Sequence, residues 1–212
     1  MKMLSTLCGA MLLLGTIAAN ATPIIFQFKG EIDELNFSGG DTFGGAITDG
    51  TDFSGMFRYE SDGIPQSGDA CDLIEEQCRW EFSIPTSFFR FIVGSTTGRA
   101  LDELEVVVTD RQGSASSDSF VTVSNQTFDF GGVASQAEFL LQDFSGTAFD
   151  SVSLPLSLSL SDFDQTSFFV IGEWGIVSGG IASLRQVPEP GTLALFGIGL
   201  AGMVLARRRK RA

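Results

Sequence analysis

The sequence predicts an all-β body, a β-sandwich of about eight antiparallel strands with a jelly-roll order as one option, set between an N-terminal signal helix and a C-terminal transmembrane helix. Three observations lead there. Apolar and polar residues alternate with a period of two in repeated short stretches, no helix-length period of 3.6 interrupts them, and glycine-rich or Asp/Ser-rich segments separate them. An antiparallel sheet with one apolar face needs a cover, and in a sandwich a second sheet supplies it.

The first stretch places Ile24, Phe26, Phe28, Gly30 and Ile32 on one face and Gln27, Lys29, Glu31 and Asp33 on the other, the pattern of a half-buried strand. The second repeats it, with Phe53, Gly55, Phe57 and Tyr59 inward and Asp52, Ser54, Arg58 and Glu60 outward. Further strands are expected at Phe88 to Val93, Leu104 to Thr109, Phe120 to Ser124, Ala137 to Asp143, Ser167 to Ile171 and Gly175 to Leu184. Leu154, Leu156, Leu158 and Leu160 alternate with Pro155, Ser157 and Ser159. This segment reads equally as an edge strand, where Pro155 is tolerated, or as an extended connection whose leucines dock on the core.

The body, residues 22–185, holds 25 acidic residues against seven basic ones, a net charge near −18. Such a field repels phosphate backbones, so nucleic acid is not an expected partner. A body of this length with a high Phe content can bury a sizeable core and is not a disordered acidic chain.

The chain contains no histidine, which removes the commonest neutral-pH base and every Ser-His or Cys-His arrangement. Paired carboxylates remain as a hydrolytic device, but no spacing singles out a couple, so the expectation is a non-enzymatic protein with no cofactor. Calcium is the ion that acidic, oxygen-rich loops would suit. Asp162 and Asp164 with Gln165 and Ser167, and Asp62, Ser67, Asp69 and Asp72, resemble pieces of an oxygen-rich loop, yet neither has EF-hand spacing and both read more simply as turns. Trp80, Trp174 and Tyr59 read as core aromatics first and as a sugar-stacking platform second. The sequons Asn36-Phe37-Ser38 and Asn125-Gln126-Thr127 are three-residue patterns frequent by chance and carry little weight.

The ends carry the sharpest signals. Lys2, the apolar stretch Leu7 to Ala18, and the small-residue site Ala19, Asn20 and Ala21 form a secretory signal over residues 1–21, so signal peptidase is an expected partner and Thr22 the mature N-terminus. Cys8 leaves with that segment. Cys71 and Cys78 then remain as an even pair in an oxidising compartment, for which a disulfide is expected rather than two free thiols or zinc.

Residues 186–212 form a tail: Val187, Pro188, Glu189, Pro190 and Gly191, an uncharged apolar run over 191–206, and a basic end of Arg207, Arg208, Arg209, Lys210 and Arg211. The prolines hold Glu189 in extended backbone, and Pro190 suits the first position of a helix. Sixteen helical residues span roughly 24 Å, and the basic side chains make up the difference from a bilayer core by snorkelling into headgroups. Five positive charges hold that end in the cytoplasm, leaving the body on the far side of the membrane.

This order of motif, apolar helix and Arg-rich terminus resembles the PEP-CTERM sorting signal of Gram-negative bacteria. The resemblance implies recognition by an exosortase, a membrane-embedded cysteine protease or transpeptidase of exopolysaccharide-producing bacteria, acting near the Pro-Glu-Pro. A softer likeness, through Phe28, Gly30 and Ile32, then Phe53, Gly55 and Phe57, then Gly180, Ile181 and Leu184, links the body to β-rich PEP-CTERM passenger proteins. The expected role is an exported envelope or extracellular-matrix component, anchored by its tail and then processed to the cell surface or beyond. The alternative is a calcium- or carbohydrate-binding module of the matrix, with exopolysaccharide as its partner.

Overall fold

The structure is a computed structural model. It describes residues 22–37, 43, 45–63, 71–72, 77–83, 86–101, 103–110, 117–188 and 199, with backbone alone at 71–72 and 124–128. Eleven strands appear in chain order: β1 (Pro23–Phe37), β2 (Asp52–Glu60), β3 (Cys71–Asp72), β4 (Gln77–Ser83), β5 (Phe88–Val93), β6 (Thr96–Ala100), β7 (Glu103–Thr109), β8 (Asp118–Phe130), β9 (Val133–Asp143), β10 (Gln165–Gly172) and β11 (Gly175–Gln186). The signal segment lies outside the described residues, as does all but Gly199 of the expected span at 191–206. No helix among the described residues is long and apolar enough to cross a membrane.

The body is all-β, as expected, but it closes into a barrel instead of forming a sandwich. Eight strands make a ring in the order β1, β2, β5, β6, β8, β9, β10 and β11, with β11 returning to β1, and every pairing is antiparallel. Period-two alternation states that one face is buried without stating what buries it. Here the sheet curls until its inner face covers itself, and the pairing of β8 with β9 closes the ring.

β8 makes the closure. Its first part, 118–124, pairs with β9 on one side and β7 on the other. After a register break between Ser124 and Phe128, its last residues still pair with β9 but meet β6 through Gly98–Phe130, Arg99–Asp129 and Ala100–Phe128. The remaining strands, β7, β4 and β3, continue outward from the first part of β8 as a wing.

The lumen is filled by phenylalanine. Phe28 packs against Phe53, Phe57, Phe89, Phe139 and Phe168 with ring centroids 5.1–6.3 Å apart. Burying such side chains is the main source of stability, at about 1.5–3 kcal/mol each. Gly30 and Gly55 sit at inward positions as the alternation requires, and they leave room for rings: a Cβ at Gly55 would strike Phe28 and lie 2.8 Å from Phe91 Cβ. The wing adds Trp80, Phe82, Leu104, Val106 and Val108, and joins the lumen through Tyr59 and Phe82, 5.9 Å apart.

The Leu154 to Leu160 segment is an extended connection ending in a single 3-10 turn, Leu160–Asp162. Leu154, Leu158 and Leu160 pack on the core while Leu156 faces solvent. Tyr59 pins the segment by donating its hydroxyl proton to the Pro155 carbonyl oxygen at 2.5 Å.

Candidate functional site

Three places on the body carry features beyond core packing, and the first is the exit of the tail. β11 pairs with β1 out to Phe26–Gln186, and one residue later the Val187 N–H still donates to Ile25 O at 2.8 Å. Pro188, the next residue, is exposed. The motif therefore begins where the barrel hydrogen bonding stops, with no spacer between. Thr22 precedes the neighbouring strand β1, its N–H donating to Ser61 Oγ at 3.1 Å, so the start of the body and the start of the tail lie at the same end of the barrel. Glu189, Pro190, Gly191, the basic end 207–211 and Ala19 and Ala21 of the expected signal cleavage site lie outside the described residues.

The second place is a depression of about 380 Å³ in the loop after β9, lined among others by Asp143, Asp162 and Asp164. Asp143 is buried, and its carboxylate accepts from the Ser145 hydroxyl and N–H at 2.7 and 2.8 Å, and from the Thr147 and Ala148 N–H groups at 2.7 and 3.0 Å. The Ser145 hydroxyl, and then these backbone donors, hold its carboxyl well below the usual carboxylate range against the opposing push of burial. Asp164 accepts from Phe144 N–H at 2.9 Å, and Asp162 from the Ser161 hydroxyl at 3.2 Å. These acids are engaged in shaping their own loop. Among the described residues no three or more ligating side chains gather as a metal would need. In the other acidic run, Ser67 and Asp69 lie outside the described residues.

The third place is a groove of about 550 Å³ on the outer wall across β1, β2, β5 and β6, with Gln27, Ser54, Met56, Arg90, Thr97 and Arg99 among its lining. Arg90 and Arg99 are direct cross-strand partners. Sequence reasoning placed Gln27 and Ser54 on outward faces and Arg90 within an expected strand, and gave no strand to Thr97 or Arg99. Alternation tells which way a side chain points, whereas the meeting of Arg90 with Arg99 depends on strand register.

The aromatics weighed as a sugar platform are core. Tyr59, Trp80 and Trp174 are all buried, with the Trp174 ring N–H donating to Ser135 Oγ at 3.1 Å, and burial pushes the Tyr59 hydroxyl upward. Cys71 and Cys78 stand directly opposite each other across β3 and β4. Cross-strand partners have the Cα separation a disulfide requires.

With this geometry in place, residues 186–210 match the family model described as the PEP-CTERM protein-sorting motif. The chain carries a PEP-CTERM sorting motif. It starts at Gln186, the last residue of β11, so barrel and PEP-CTERM tail abut in sequence as they do in space. The motif makes this an exported protein, sorted at the membrane, with exosortase as its processing partner. Comparison with curated proteins and with solved structures finds no match.

Proposed function

We propose that this PEP-CTERM protein is a non-enzymatic component of the cell envelope or extracellular matrix. Its C-terminal helix over 191–206 holds it in the inner membrane until exosortase acts, with the barrel on the far side and the basic end inside. The PEP-CTERM motif at 186–210 carries this reading, and the direct seating of that motif on β11 supports it by making the barrel the cargo that the tail delivers. The non-enzymatic part draws support from the absence of histidine and from the use of the buried Asp143 as an acceptor for its own loop.

Mass spectrometry of the mature protein from its native envelope tests the proposal. The expected termini are Thr22 and a residue close to Pro188–Gly191, with Cys71 and Cys78 oxidised to one another. An intact N-terminus at Met1 together with a cytoplasmic barrel would reject it. The second reading, a carbohydrate-binding module, is favoured by the groove on the outer wall.

A further inference from the structure

Cations are scarce on this body and unevenly placed. Of its seven basic residues, Lys29, Arg58, Arg90, Arg99 and Arg185 all occupy outward positions on the contiguous strands β11, β1, β2, β5 and β6. The register aligns Arg185, Gln27, Met56, Arg90 and Arg99 in one row across these strands. Four inter-strand spacings make that row about 19 Å long.

Two of these cations form a local conflict. Arg90 and Arg99 face one another across β5 and β6, and like charges directly opposite destabilise a sheet. Among the described residues the salt bridges are Arg58–Glu60 at 2.7 Å and Arg79–Glu105 at 3.2 Å, and neither involves Arg90 or Arg99. Arg90 instead donates to Met56 Sδ at 3.0 Å and lies over the Phe88 ring, 4.8 Å from its centroid. The acid across from Arg99 is Asp129, which also lines the groove and whose carboxylate accepts the Gly132 N–H of the adjoining turn at 2.8 Å, so the groove holds two arginines against one carboxylate. Arg185 donates twice to Gln27 Oε1, at 3.0 and 2.7 Å, which leaves the Gln27 amide nitrogen as a donor for the groove.

We propose that this groove binds an anionic saccharide chain, with a sugar carboxylate bridged by Arg90 and Arg99 and ring hydroxyls bonded to Gln27, Ser54 and Thr97. A guanidinium fork matches a carboxylate in two parallel hydrogen bonds, and a bridging anion removes the repulsion between the two arginines. The overall charge selects among anions. A nucleic acid brings a phosphate at every residue, and a second copy of this chain brings another body near −18, so both are repelled strongly by the rest of the surface. A saccharide with a carboxylate on some rings carries far less charge per length. An acidic peptide adding as a strand would need a free sheet edge, and the groove lies on a continuous wall of four paired strands.

This inference rests on the binding-module reading and is separate from sorting, because the termini of the mature protein report on sorting whether or not the groove binds. Calorimetric titration of the full chain in non-ionic detergent with a short hyaluronan oligosaccharide, which carries a carboxylate on alternate rings only, tests it, alongside its neutral methyl ester, a polyglutamate of similar length and a salt series. Expected are saturable binding of the acid form that weakens with salt, no binding of the ester, and at least about tenfold loss in Arg90→Gln and in Arg99→Gln. Arg79→Gln, on the wing, should bind normally. Thermal unfolding of both groove variants should show an unchanged or raised midpoint without ligand, which separates lost binding from lost folding. No binding of the acid form, equal binding of the ester, or unchanged affinity in the variants overturns the proposal. Equal binding of polyglutamate overturns it in favour of an acidic peptide. Self-association that the variants abolish, without saccharide uptake, overturns it in favour of a second copy.

Discussion

Asp143 ends β9 and starts the loop that carries the chain to β10, and its carboxylate gathers the hydroxyl and backbone donors of Ser145, Thr147 and Ala148. Asp143→Asn leaves one oxygen to accept and places an amide against the remaining donors, so a loss of about 2–3 kcal/mol is expected in chemical denaturation at neutral pH. The pH dependence has a definite sign. A carboxyl whose folded value lies below its unfolded value of about 3.9 contributes fully above that value and loses its contribution as pH falls toward the folded one. The wild-type midpoint should therefore drop on acidification below about pH 4, and Asp143→Asn should start lower and flatten that drop. Glu138 has the opposite sign, since partial burial raises its carboxyl and its ionisation opposes folding as pH rises through the folded value. Glu138→Gln should thus raise the midpoint slightly at pH 7 and leave it unchanged in acid.

Strand β11 shows how element geometry depends on single glycines. Gly179 faces inward, and a Cβ there would run into the Glu31 carbonyl and come within 2.8 Å of the Phe53 ring, whereas at Gly180 the nearest atom is Asp33 Oδ2 at 3.8 Å. Gly179→Ala is expected to cost about 3 kcal/mol by forcing β11 away from β1, and Gly180→Ala less than about 0.5 kcal/mol. Equal midpoints for the two variants would remove this account of barrel packing. At the other end of β11, Val187 is still bonded to β1, so exosortase meets a motif flush with the barrel. Inserting about six Gly/Ser residues after Gln186 adds a reach of roughly 13 Å and should speed tail cleavage severalfold in vesicles. An unchanged rate would mean that the barrel end does not limit access. The short ladder of β3 with β4 sets Cys71 against Cys78, and the disulfide expected between them should on reduction lower stability by about 2–3 kcal/mol, whereas an unchanged midpoint under reductant would mean the bond is absent.

At the scale of the whole molecule, the ring and the wing form one sheet joined through β8, so unfolding should be a single transition in which Phe burial and closure are lost together. Calorimetry showing two transitions would mean instead that β3, β4 and β7 melt apart from the barrel. Much of this architecture was legible from local pattern. The strand at Phe88 to Val93 is found as expected, β1, β2, β7, β9, β10 and β11 differ only in their ends, and Gly30 and Gly55 take the inward places alternation assigned. β6 was not legible because its buried positions are Gly98 and Ala100, which give no apolar signal. β4 carries the alternation in Cys78, Trp80 and Phe82, yet no strand was expected there, because Cys78 read as half of a disulfide and Trp80 as a core aromatic.

The sequence by itself determined which side chains face inward and where the sorting tail begins, because both are written in neighbouring residues: a period of two in one case, a contiguous motif in the other. Only the tertiary structure decided that the sheet closes on itself, that β8 changes partner from β7 to β6, and that Arg90 meets Arg99 in a groove. Those features arise from hydrogen-bond register between segments far apart in the chain. Alternation is indifferent to which strand lies alongside, so a sandwich and a barrel share the same local code.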